Sequence, residues 1–130
     1  MNSASAIGLC ATLVAALSAG AVSAQSLQKQ YVQVAEIEID PEQLWAYKAA
    51  VKEHIQIATR VEPGVLVLYA VSETENPTRV RVFEIYRDAE AYKVHLQSDH
   101  FKNYKSKTEK MVRSLKLVVT TPIMLGTKGQ

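Results

Sequence analysis

Apolar and polar residues alternate loosely along Tyr31–Ile39 (YVQVAEIEI), with Val32 and Val34 on one side and Ala35, Ile37 and Ile39 on the other. That period of two predicts a first β-strand with apolar residues on both faces. Asp40-Pro41-Glu42-Gln43 follows, offering an N-cap, a proline at the first helical position and a glutamine able to close a capping box. Leu44, Tyr47 or Lys48, Val51, Ile55 and Ala58 then recur at helical spacing, with His54 on the flank of the stripe and Trp45 a quarter turn off it. Trp45 and, further on, Tyr92 read as packing residues.

Glu62-Pro63-Gly64 ends this helix, and Val65–Val71 (VLVLYAV) runs on without a polar interruption. A short apolar run bounded by turn signals predicts a strand buried on both faces. Residues 74–78 are a loop, and Arg79–Tyr86, rich in β-branched and aromatic types, is a third strand. Asp88 can cap a helix with Glu90 in its first turn, and Ser98 can cap a second piece after a break at Gln97-Ser98-Asp99. That second piece carries Phe101, Tyr104, Thr108, Met111 and Leu115 at steps of three and four. Leu117–Thr121 and Ile123–Leu125 predict a last strand interrupted by Pro122, which suits an edge. Gly126 onward is a tail.

The expected order is β-α-β-β-α-β, an α+β ferredoxin-like arrangement with a four-stranded antiparallel sheet. Two helices cover one face of such a sheet. A second strand that is apolar on both faces asks for a cover on the other, and a second copy of the chain is the simplest one, so the pattern predicts a homodimer.

Composition adds limits. The 130 residues suit one domain, expected at residues 31–125 after a polar lead-in at 25–30 and before a tail at 126–130. Residues 1–24 hold no charged side chain and an apolar run from Ile7 to Val22, ending in Val22-Ser23-Ala24 before Gln25. Small residues at these positions fit a signal-peptidase site, which predicts export to the periplasm or medium and no stable membrane anchor afterwards. No Lys or Arg precedes the apolar run, so a retained anchoring helix is the alternative. Cys10 is the only cysteine; cleavage would leave a mature chain without disulfides, thiolate metal sites or cysteine nucleophiles. The net charge is +2, and the basic run Lys102–Lys110 is interleaved with Asn, Tyr, Ser and Glu109. It reads as a solvated helix face, not a nucleic-acid surface.

No phosphate loop, dinucleotide glycine pattern, nucleophile elbow or HExxH motif is present. His95 and His100 stand five apart, ~140° around a continuous helix, which does not favour chelation. The expectation is therefore no metal site, with the break at Ser98 as the one feature that could make the two converge. His54, His95 and His100 all come from elements covering the same sheet face. Each can be a hydrogen-bonded packing residue, or one can be a general base beside an aromatic-lined pocket. The catalytic candidates are His54, His95 and Glu84, the last able either to orient a histidine or to pair with a cross-strand cation. Tyr69, Phe83, Tyr86, His100 and Phe101 are the substrate-binding candidates.

A strand ending in Glu84-x-Tyr86-x-Asp88, then Ala91, His95, Leu96, Ser98, His100, Phe101 and Tyr104, resembles the antibiotic biosynthesis monooxygenase (ABM) domain, the group that includes quinol monooxygenases. His54 and the Val61-Glu62-Pro63-Gly64 turn fit as well, and the resemblance spans roughly Tyr31 to Pro122. It implies a dimeric α+β barrel and oxidation of a quinol or other electron-rich phenol by O2 without flavin, haem or metal, a histidine acting as base. The alternative it leaves is a non-catalytic dimer binding a quinone- or haem-like aromatic ligand. The haem-degrading branch fits poorly, since the one Trp lies on the first helix.

Overall fold

The computed structural model describes residues 29–128; the expected export signal, its Ala24-Gln25 junction and most of the lead-in lie outside them. The elements are β1 (Tyr31–Ile39), a 3-10 turn (Pro41–Gln43), α1 (Leu44–Val61), β2 (Val65–Ser72), β3 (Arg79–Tyr86), α2 (Ala89–Gln97), α3 (Asp99–Thr108) and β4 (Val112–Thr120). The strands form one antiparallel sheet in the order β2-β3-β1-β4. This is the ferredoxin-like α+β fold, its second helical segment split in two. Among the described residues no helix is long and apolar enough to cross a membrane.

Register assigns the faces. Ala35 pairs with Val82 and Leu117, Ile37 with Val80 and Leu115, and Gln33 with Glu84. Alternate residues share a face, so these line the side toward the helices. Ala35, Ile37, Ile39, Val80 and Val82 are buried there against Tyr47 and Val51 of α1. A second cluster joins Ala58, Val65, Leu68, Tyr86 and Ala91.

Two expectations are corrected, for β4 and for Trp45; β2 lies at the edge of the sheet, and within one chain only its inner face is covered. Val65 and Leu68 are buried, but Leu66, Tyr69 and Val71 are exposed, because no described helix covers the outer face. The register also slips between Val65 and Val67, leaving Leu66 as the extra residue of a bulge. β4 begins earlier than expected, at Val112, and ends before Pro122. A turn through residues 109–111, closed by Met111 N–H to Thr108 O at 2.8 Å, stops α3 before Met111 and Leu115 can join it; Ile123 and Met124 are exposed outside the sheet. Trp45 is 85% exposed and packs in no core.

The expected caps at Asp88 and Ser98 form: Asp88 accepts from Ala91 N–H and Ser98 from Phe101 N–H. Asp40 caps the 3-10 turn through Glu42 N–H at 3.0 Å. Gln43 makes no capping bond, and the Asp40 amide donates instead to Met111 O at 2.9 Å, tying the end of β1 to the start of β4.

Candidate functional site

The site lies between the helix-facing side of the sheet and α1, α2 and α3. Its cavity measures about 120 Å³ and is lined mostly by apolar side chains, with His54, His95, Glu84, Phe101 and Tyr104 among them. A larger, more open groove of about 610 Å³ runs between α1 and β2, but no histidine or carboxylate lines it. The smaller cavity is therefore the candidate site.

Each histidine is placed by its own element. His54 rides on α1, is 7% exposed, and stacks on Tyr104 of α3 with ring centroids 4.7 Å apart. Its Nδ1 is buried without a hydrogen-bond partner. Burial, reinforced by the nearby His95 and His100, pulls its pKa down to about 4, with the His100 backbone acting weakly the other way. At neutral pH His54 is uncharged.

His95, in the last turn of α2, is 2% exposed. Its Nδ1 lies 2.7 Å from Glu62 Oε2. His100, in the first turn of α3, places Nε2 3.1 Å from Glu62 Oε1. That second contact is out of line for a hydrogen bond, and both atoms are buried without a partner. The extended backbone of Ser98, with ψ of 146°, separates α2 from α3 and turns both rings toward one carboxylate. Glu62, His95 and His100 bring donor atoms within 4.8 Å of one another, so they are the described residues best able to hold a cation. Nδ1 of His95 is already engaged by Glu62, which makes the set a poor open cradle.

On the sheet side, Glu84 Oε2 accepts from Gln33 Nε2 at 2.9 Å and from the Tyr86 hydroxyl at 2.7 Å, while the Tyr31 hydroxyl donates to Gln33 Oε1 at 3.2 Å. Burial, then the charge and hydrogen bond of Glu84, drive the Tyr86 pKa well up. Tyr86 therefore stays protonated and donates. Tyr47 and Tyr104, whose hydroxyls are 2.9 Å apart, are likewise raised, burial being the largest cause for each.

The expected residues thus divide. His54, His95, Glu84 and Phe101 line the cavity. Tyr86 and His100 stand behind it, holding Glu84 and facing Glu62. Tyr69 and Phe83 pair with each other across β2 and β3 on the opposite face, both exposed, and do not line this cavity. Their strand neighbours Leu68 and Glu84 point inward, and adjacent strand residues cannot share a face. Sequence reasoning missed Glu62 and Gln33. Gln33 had a signal: it is polar in the inward register of Ala35, Ile37 and Ile39. Glu62 had none beyond its turn.

Compared with known protein families, residues 30–107 match Antibiotic biosynthesis monooxygenase. The chain belongs to the antibiotic biosynthesis monooxygenase family. A solved structure bearing that family name, from Bacteroides thetaiotaomicron, is 47% identical with a TM-score of 0.76, covering 80% of this chain and 99% of its own. Family members from Nitrosomonas europaea and Caulobacter crescentus are each 18% identical with a TM-score of 0.70, covering 74% and 77% of this chain and 92% and 95% of their own. At that identity they share the fold alone. A search of curated proteins finds no significant match. ABM membership and the Bacteroides relative support a monooxygenase-like function in general terms.

Proposed function

We propose that this ABM-family protein is a cofactor-independent monooxygenase that oxidises a quinol or other electron-rich phenol with O2, one cavity histidine acting as general base. The observation that carries this is the placement of His95 on an apolar cavity, its Nδ1 held by Glu62. With that nitrogen engaged, Nε2 is the atom left to take a phenolic proton. The cavity, about 120 Å³, approaches the ~150 Å³ void that accommodates benzene in another protein. Its scale favours a single aromatic ring over a macrocycle.

The chemistry balances without a further co-reactant. The base removes the phenolic proton, and the phenolate passes one electron to O2. The phenoxyl radical and superoxide recombine at a ring carbon. The resulting peroxide breaks its O–O bond as the ring C–H proton leaves, giving a carbonyl. Phenol and O2 become quinone and water. The protein's tasks are proton removal, an apolar cage and exclusion of bulk water. Glu84, held by Gln33 and Tyr86, gives the cavity its acceptor for a second substrate hydroxyl.

Oxygen uptake by the purified protein with a panel of one- and two-ring hydroquinones tests the reading. Uptake matched by a quinone carrying one added oxygen, without hydrogen peroxide, supports it. Saturable binding without uptake replaces the enzyme with a binding module.

A further inference from the structure

We propose that Glu62 is the positioning residue of this site, fixing His95 with Nδ1–H toward the carboxylate and Nε2 toward the cavity. The inference rests on the histidine-base reading and adds the group that determines which histidine serves and in which tautomer.

The backbone sets up the contact. Glu62 closes α1, its amide bonded to Ala58 O at 3.0 Å. Pro63 and Gly64 then turn the chain against α2 so closely that a Cβ on Gly64 would lie 2.5 Å from Cβ of Ala91. Ala91 and His95 are four apart on α2, hence on one helix face. The tight turn thus delivers the carboxylate to the face that bears His95.

An ionised carboxylate can only accept. A ring nitrogen 2.7 Å away must therefore carry the hydrogen, and the other nitrogen keeps its lone pair. The groups around His95 are Glu62 from the end of α1, His54 of α1, His100 and Phe101 of α3 and Tyr86 of β3, with Glu84 also on the cavity wall. His54 has no such partner: its Nδ1 is orphaned and its basicity lowered. His100 meets the other carboxylate oxygen out of line. Of the three histidines, Glu62 fits His95 as a base.

The test uses 15N-histidine-labelled full-length protein, with Glu62→Gln and Glu62→Asp beside it. NMR should show His95 as the Nδ1–H tautomer in the unmodified protein and as a tautomer mixture in Glu62→Gln. With an active substrate, Glu62→Gln should lower kcat ~10-fold or more, as loss of a carboxylate that fixes a catalytic imidazole's tautomer does, with KM nearly unchanged. Glu62→Asp should recover part of the loss. An Nε2–H tautomer in the unmodified protein overturns the proposal, as does a Glu62→Gln protein with unaltered tautomer and kcat. One equivalent of Zn2+ retained through dialysis and lost in Glu62→Gln also overturns it, in favour of a metal site. If Glu62→Gln does not fold, the tautomer of the unmodified protein decides alone. The NMR readout needs no turnover, so a protein that fails to consume oxygen refutes the monooxygenase reading without touching the Glu62–His95 relationship.

Discussion

The imidazole of His54 lies face to face with the phenol ring of Tyr104, centroids 4.7 Å apart and planes 17° from parallel. The stack joins α1 to α3 beside the cavity, and the Tyr104 hydroxyl continues to Tyr47 at 2.9 Å. It also walls His54 into a place where a charge is costly.

The acid stability of the protein should therefore depend on His54. Its pKa falls from the ordinary 6.5 to about 4 on folding, so between these values the unfolded chain binds more protons than the folded one. Stability is retained above about 6.5 and lost as the pH falls toward 4. At ~1.4 kcal/mol per tenfold change in proton affinity, discounted for residual solvent screening, the loss is on the order of 2 kcal/mol. Urea midpoints at pH 7 and pH 4.5 should differ less for His54→Gln than for the unmodified protein. Equal acid sensitivity would rule this out.

Gly64→Ala should destabilise the fold. The new methyl would meet Ala91 Cβ at 2.5 Å, a rigid neighbour with no side-chain freedom to yield. Overpacking of this kind costs typically ~1–3 kcal/mol. α2 must shift to accept it, moving His95 away from Glu62. A thermal midpoint unchanged within error would contradict the close packing of this turn.

The outer sheet face should form a homodimer interface. Tyr69, Val71 and Phe83 are 66%, 55% and 49% exposed there, on a face no described helix covers. A stable pair buries on the order of 1,600 Å² in total. Light scattering at micromolar concentration should give twice the chain mass, and Tyr69→Lys with Phe83→Lys should halve it. A monomeric unmodified protein would remove the interface.

Where a local pattern alone decides, the sequence is legible. β1 and β3 follow their period and keep the bounds read for them, and the helix starts at Asp88 and Ser98 follow from short polar caps. β4 was misread at its start because Met111 and Leu115 extend the helical spacing of Phe101, Tyr104 and Thr108. Yet Leu115, Leu117 and Val119 also alternate, and the turn after Thr108 gives them to the strand. The edge position of β2 is set by strand order, which no local period encodes. Phe83 could have been placed by parity, since it adjoins Glu84 in one strand. The Glu62–His95 contact spans 33 residues and depends on how a tight turn meets α2, so spacing alone could not show it.

The pH dependence of oxygen uptake should identify the base. A catalytic histidine works only when neutral, so kcat/KM rises with pH through the pKa of that group in the free enzyme. Were His54 the base, its lowered value of about 4 would leave the rate flat above about pH 5. A rate still rising above that pH points away from His54. We expect the latter, because His54 is a weak base with an orphaned Nδ1, whereas His95 is held by Glu62. His95→Ala should then lose on the order of 10²-fold or more in kcat. His54→Ala should lose less, mainly through the missing stack on Tyr104, and His100→Ala should act chiefly on stability. Each variant must first be shown folded by its near-ultraviolet circular dichroism, since a loosened core would lower the rate for any of them. A folded His95→Ala protein with full oxygen uptake would exclude His95 as the base. If its rate were also flat down to pH 5, the role would pass to His54.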